Sequence, residues 1–161
     1  MFIHVFGTQC ADPPAVRPRS QFVTGLVELV FLLGVGCFGT LAQAERAYVT
    51  DINNKLHVID TSNNQVISSI TVGGVSMGVA INPSSTRVYV GSSNTVSVID
   101  TGINQVVATV PMEIFPHNLV VNPSGTRVYV THYDSSKVSV IDTGTHSVVV
   151  SITVENNPDG I

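Results

Sequence analysis

Cysteine is nearly missing from this sequence. Of 161 residues only Cys10 and Cys37 carry a thiol, and both fall in the first 44. From Glu45 onward there is none, which excludes a disulfide or a thiolate metal site from that part. Such a chain has nothing to mispair in an oxidising compartment. Charge is sparse too, at 11% of residues, and lopsided. Arg17 and Arg19 balance Asp12 and Glu28, whereas from Glu45 on five Lys/Arg face nine Asp/Glu and account for the whole net charge of −4. An acidic domain is a poor electrostatic partner for nucleic acid or anionic lipid, so no nucleic-acid role is expected. There is no phosphate-cradling glycine loop, and no His-x-x-x-His on a helix. Apolar residues at helical spacing occur only near the N-terminus.

What is present divides at residue 44. Residues 1–44 read as a signal peptide or N-terminal membrane anchor built on an apolar helix. Arg17 and Arg19 precede the uncharged run Leu29 to Leu41, and Ala42-Gln43-Ala44 offers the small-x-small pattern of a cleavage site. Glu28 interrupts the apolar stretch. An uncleaved span over Phe22 to Ala42, 21 residues, is long enough to cross a bilayer, at the expense of burying that carboxylate. Cys37 after Gly34-Val35-Gly36 is a third, weaker option, as a lipoprotein cysteine. The expectation is export, to the periplasm, the cell surface or the medium, with membrane contact only through this segment.

From Glu45 on the chain repeats itself. Arg87-Val88-Tyr89-Val90, followed by Val96-Ser97-Val98-Ile99-Asp100, is matched upstream by Arg46-Ala47-Tyr48-Val49 with Leu56-His57-Val58-Ile59-Asp60. Downstream the match is Arg127-Val128-Tyr129-Val130 with Val138-Ser139-Val140-Ile141-Asp142. The arginines lie 41 and 40 residues apart (46 to 87, 87 to 127) and the aspartates 40 and 42 (60 to 100, 100 to 142). A fixed period of this length marks a repeat architecture.

The middle unit shows the grammar. Gly78 to Ile81 is small and apolar, as a strand buried on both faces would be. Asn82-Pro83-Ser84-Ser85-Thr86 is a turn cluster in which Pro fixes one φ and Asn can bond its own backbone. Arg87 to Val90 and Val96 to Ile99 alternate at period two. Asp100-Thr101-Gly102-Ile103-Asn104 turns again, with Gly102 expected to supply a positive φ. Gln105 to Val110 is a fourth, β-branched strand. The third unit runs Leu119 to Val121, Arg127 to Thr131, Lys137 to Ile141 and Ser147 to Val154. The first lacks its opening strand, and Pro158-Asp159-Gly160-Ile161 is expected to begin another.

Four antiparallel strands in about forty residues, tiled without helices, predict an all-β fold of β-propeller blades. The boundaries are about 45–74, 75–114 and 115–154, with a fourth blade starting over 155–161. The units resemble the YVTN β-propeller repeats of exported and surface-layer proteins. The resemblance rests on Tyr48-Val49-Thr50, Tyr129-Val130-Thr131, Val98-Ile99-Asp100-Thr101, Val140-Ile141-Asp142-Thr143 and Gly78-Val79-Ala80-Ile81-Asn82-Pro83. It covers roughly Glu45 to Ile161 and departs at the consensus asparagine, which is Asp51, Ser92 and His132 here. It implies a partial ring of about three blades. Two readings of such an arc stand: a fragment of a longer propeller, or a chain that associates with itself through open blade faces.

The resemblance also implies where a ligand, protein or small molecule, would sit: at the channel mouth, near the opening strands. The equivalent positions there are Met77, His117 and Asp159, a set able to bind a polar ligand or, converging on an axis, a metal. Repeat-variable loop residues are the blander reading. His132, Tyr133 and Asp134 are expected together in an exposed hairpin loop, as further binding candidates or as a solvated turn. His57 is read as structural and His146 as exposed. Asp60, Asp100 and Asp142 fall once per blade and are expected to bond turn backbone. Arg46, Arg87 and Arg127 are expected to pair between blades, and Tyr48, Tyr89 and Tyr129 to pack in the interfaces. The expected function is a non-enzymatic binding or scaffolding module with no cofactor. The alternative is part of a propeller lactonase or lyase, or an accessory to a periplasmic oxidoreductase.

Overall fold

The computed structural model of the chain describes residues 45–161. The apolar helix, export signal and both cysteines of residues 1–44 lie outside the described residues. Eleven strands form three antiparallel sheets, and no helix is assigned among the described residues. Sheet one is β1 (Arg46–Thr50), β2 (Lys55–Asp60) and β3 (Gln65–Thr71). Sheet two is β4 (Ser76–Ile81), β5 (Arg87–Ser92), β6 (Thr95–Asp100) and β7 (Gln105–Pro111). Sheet three is β8 (Leu119–Val121), β9 (Arg127–His132), β10 (Lys137–Asp142) and β11 (Ser147–Thr153). Each is a meander in sequence order, as blades of this pattern require.

Registers repeat with the sequence. Arg46 faces Asp60, Arg87 faces Asp100 and Arg127 faces Asp142 across the central hairpins. Each sheet has a register shift at the same place, Val58/Ile59, Val98/Ile99 and Val140/Ile141, where the outer strand carries an extra residue, and sheet two has a second between Ser76 and Val79. A bulge of this kind sharpens the local twist.

Period two sorts the side chains onto two faces per sheet. On sheet two the tyrosine face holds Ala80, Tyr89, Val96, Val98 and Val110, packed with Leu119, Val128, Val130 and Ile141 of sheet three. Its opposite face holds Val79, Val88, Val90 and Ile99, packed with Tyr48, Leu56, Val58 and Ile70 of sheet one. The core is therefore two slabs between three sheets. Each fully buried aliphatic side chain contributes about 1.5–3 kcal/mol. Tyr48 and Tyr89 are buried at equivalent depth, and burial pushes both phenols above their ordinary range. Tyr129, on the outer face of sheet three, is only half-buried.

The turns are closed by side chains of the same sheet. Asn82 Oδ1 accepts from the backbone N–H of Thr86 and Arg87, both at 2.9 Å, and Asn122 repeats this with Thr126 at 2.8 Å and Arg127 at 2.9 Å. Asp60, Asp100 and Asp142 bond their turns, Asp100 Oδ1 taking the N–H of Gly102 at 2.8 Å. These bonds help hold the Asp60 and Asp142 carboxyls below the usual range, Asp60 chiefly through the Ser62 hydroxyl and Asp142 chiefly through the N–H of Thr145.

Three expectations change. The positive φ of these turns falls on Asn64, Asn104 and His146 (57°, 53° and 51°) rather than on Gly102, whose N–H is drawn to Asp100. Arg87 and Arg127 pair inside their own sheets, with Asp100 at 2.6 Å and with Asp142. Only Arg46 crosses between sheets, donating to Thr101 O at 2.6 Å. Arg46 faces Asp60 in the same register as Arg87 faces Asp100 and Arg127 faces Asp142, so register alone does not decide which arginine crosses. Pro158–Ile161 is not a strand, because no ladder is offered to it among the described residues.

Candidate functional site

The opening strands β4 and β8 lie side by side, so their N-terminal ends reach the same end of the molecule as the β1–β2 and β9–β10 hairpin loops. There Thr50, Asp51, Ile52, Ser76, Met77, His117 and Asn118 line a cleft of about 430 Å³. All three sheets, or the connectors entering them, contribute. Met77 points outward at the start of β4, where its neighbours Ser76 and Gly78 point in. His117 sits in the connector before β8, its N–H bonded to Thr131 O at 2.8 Å.

Two further side chains hold the His117 ring. Tyr133 packs against it with ring centroids 5.4 Å apart and planes tilted by 38°. Asp159 Oδ1 approaches His117 Nδ1 to 3.0 Å. This buried Nδ1 makes no aligned hydrogen bond, so the contact is one of proximity alone. Asp159 is itself tethered, its backbone carbonyl accepting from Thr131 Oγ1 at 3.3 Å.

Of the three mouth positions, the structure brings Met77 and His117 to one cleft and Asp159 to His117. No group of three His, Cys, Asp or Glu side chains gathers at metal-binding distance among the described residues. Asp51 contributes charge to the cleft, but its oxygens are committed. Oδ1 accepts from the N–H of Asn53 and Lys55, both at 2.9 Å, and Oδ2 faces His57 Nε2 at 3.1 Å. The His57 contact is the main reason its carboxyl lies below the ordinary range. His57 also meets Ser69 Oγ at 2.9 Å, a structural contact.

His132 is corrected. It is not a loop residue but the last residue of β9, and it is buried. Its ring bridges Phe115 O (Nδ1, 3.0 Å) and Ser139 Oγ (Nε2, 2.8 Å). Val128, Val130 and His132 stand two apart, so strand alternation turns the imidazole inward with the valines. Only Tyr133 and Asp134 of that trio are exposed. The Asp51–His57 and His132–Ser139 contacts join equivalent positions of sheets one and three, each tying two neighbouring strands, whereas on sheet two Ser92 meets Thr95 instead. Replacing His132 by Phe leaves the Ser139 hydroxyl and Phe115 carbonyl without this partner and should cost about 2 kcal/mol. A urea unfolding midpoint equal to that of the unaltered chain would contradict the tie.

One motif, expected from the sequence to be absent, is in fact present. Gly74-Val75-Ser76-Met77-Gly78 has the Gly-x-Ser-x-Gly spacing of a nucleophile elbow. That elbow is a strand-to-helix turn with an exposed serine. Here the segment runs into β4, and Ser76 is buried with its hydroxyl donating to Gly74 O at 3.2 Å. Thr50, Asn118 and Ile52 also join the cleft unforeseen. The signal for Ile52 was its alignment with Tyr133.

No protein-family model and no curated protein matches the chain. Among solved structures it is similar to hydrazine synthase of Kuenenia stuttgartiensis, with a TM-score of 0.68 and 22% identity over 70% of this chain and 34% of that one. It is also similar to apo AztD of Citrobacter koseri, with a TM-score of 0.62 and 17% identity over 72% of this chain and 33% of that one. The chain thus spans about a third of the length of these neighbours. At such identities the likeness concerns the fold alone, and that fold is propeller-like.

Proposed function

We propose that the chain is an exported β-propeller binding module whose ligand is a small molecule held between Met77 and His117. The observation that carries this is the cleft itself. Its volume of about 430 Å³ falls in the range of small-molecule sites, and apolar Ile52 and Met77 flank polar Thr50, Ser76, His117 and Asn118. The ligand class that fits has a compact apolar body with one hydrogen-bonding group. Export rests on the N-terminal pattern of Arg17, Arg19, the run to Leu41 and Ala42-Gln43-Ala44.

A second reading, a hydrolytic enzyme, draws on Ser76 and His117 lining one cleft with Asp159 beside the imidazole. Against it, the Ser76 hydroxyl is spent on Gly74 O.

Phenol is a suitable probe, a ring for Met77 and Ile52 with one hydroxyl for His117 or Asn118. Titrated into the protein, it should shift the Met77 methyl and His117 ring resonances together, with affinity falling about tenfold in His117→Ala, as for one lost hydrogen bond of about 1.4 kcal/mol. A fluorophosphonate should leave Ser76 unlabelled. Unmoved resonances would end the binding proposal, and Ser76 labelling would transfer the case to the hydrolase.

A further inference from the structure

We infer that Asp51, His57 and Ser69 of the first sheet form a proton relay that makes Ser69 a nucleophile towards small carboxylic esters, an activity separate from ligand binding at His117. The repeat supplies the first argument. Successive sheets carry His57, Ser97 and Ser139 at one position of the middle strand, and Asp51, Ser92 and His132 at the end of the strand before it. Only sheet one has an imidazole and a carboxylate at these two positions together. Facing the first set on the outer strand are Ser69, Thr109 and Ser151. The hydroxyl thus recurs on every sheet, and its activating partners belong to sheet one alone.

Geometry supplies the second argument. Besides joining β2 to β3, His57 links the other two groups in series, with Asp51 Oδ2 at 3.1 Å from Nε2 and Ser69 Oγ at 2.9 Å from Nδ1. An ionised carboxylate only accepts, so Nε2 carries the ring proton and Nδ1 turns its lone pair to the Ser69 hydroxyl. Nucleophile, base and orienting carboxylate in this order recur on unrelated folds. Val72 donates to Asn54 O, and bonded pairs alternate along an antiparallel ladder, so Leu56–Ile70 is a bonded pair and His57–Ser69 is not. The Ser69 N–H therefore points away from β2 to the sheet's outer edge, where no further strand pairs with β3 among the described residues. That amide and the Lys55 ammonium, held on the same face by Thr71 Oγ1 at 2.6 Å, are placed to receive negative charge developing on a carbonyl oxygen.

Access is the third argument. Ser69 is exposed, and a sheet standing in front of it would leave it so. Thr109 and Ser151 hold its place on faces that sheets one and two cover, and both stay exposed. Ile67, two residues earlier on β3 and 46% exposed, offers an apolar contact to a small acyl group. Ser69 Oγ bonds to the ester carbonyl carbon as its proton passes to His57 Nδ1. The bond from that carbon to the alcohol oxygen then breaks, and the alcohol leaves with the proton. Water, deprotonated by the same base, releases the carboxylic acid, and Nδ1 returns the proton to Ser69.

A fluorophosphonate and p-nitrophenyl acetate, each given to the full chain in a mild non-ionic detergent, test this. Peptide mass spectrometry should find the phosphonyl group on Ser69 and not on Ser151. Ester hydrolysis should fall about a hundredfold in Ser69→Ala and in His57→Gln, the lower end of what a positioned base supplies, and should be unchanged in Thr109→Ala. Asp51 is a positioning residue. Asp51→Asn should lower kcat with KM unchanged and alter the His57 ring-nitrogen resonances that report the protonated nitrogen, and Asp51→Glu should recover part of both. Hydrolysis that survives Ser69→Ala would mean an exposed imidazole acting alone, and labelling of Ser151 as fast as Ser69 would mean that exposure alone decides. Either result overturns the inference, as does an absence of ester turnover or an unchanged kcat in Asp51→Asn. The labelling is read on the unaltered chain, so it stands whether or not a variant folds.

Discussion

Tyr89→Ala is expected to destabilise the protein by about 3–5 kcal/mol, the range for removing a fully buried aromatic from a packed core. Tyr89 lies in the slab between sheets two and three with Val96, Val98, Leu119 and Val130 around it, and the surroundings are strand backbones that cannot collapse into the space. The same substitution at Tyr129 should cost about 1–2 kcal/mol, since that ring is only partly buried. Urea unfolding of the two variants side by side measures the contrast. Equal losses would mean that the faces of sheets two and three are equally covered, and the two-slab description of the core would then fail.

Gly78→Val should cost about 3 kcal/mol through overpacking and disable the cleft in the same step. Gly78 has an ordinary φ and is glycine for want of space. A Cβ there would stand 2.7 Å from Leu119 Cδ1, 2.8 Å from His117 O and 3.0 Å from Asn118 Cα. Two of these three atoms are backbone of the segment that carries His117, so the side chain gains room only by pushing that segment off β4. His117 would then leave Tyr133 and Asp159, and its ring protons would lose the shielding that a phenol ring 5.4 Å away supplies. Unfolding in urea and the His117 proton spectrum report the two effects separately. An unchanged midpoint with unchanged His117 resonances would show that sheets two and three do not approach as closely as described.

Much of the fold was legible because the repeat multiplies each local signal. β8 covers the residues its β-branched run predicts, Leu119–Val121, and β9 and β10 each extend a single residue further than the alternation suggests. The start of β4 at Ser76, two residues before Gly78, was not legible, since Ser76 and Met77 resemble the loop preceding them. Bulge positions were equally hidden, as they depend on how an outer strand twists against its neighbour. In the cleft, Met77 and His117 could be paired because equivalent positions of adjacent blades must be neighbours. The Tyr133–His117 contact joins a hairpin loop to a connector, two elements whose conformations no periodicity governs. His132 was misplaced by treating it as the first loop residue. The spacing of two from Val128 and Val130 already carried it inward.

The Asn82 and Asn122 turns bear on how such a chain can grow. Each asparagine clasps amides four and five residues ahead of it, wholly inside its own unit. A duplicated stretch of gene therefore arrives with its bends already instructed, and a newborn unit needs no tutor for its hairpins. What it still seeks is a companion on either flank, so the same economy that eases duplication makes each unit's burial depend on its neighbours.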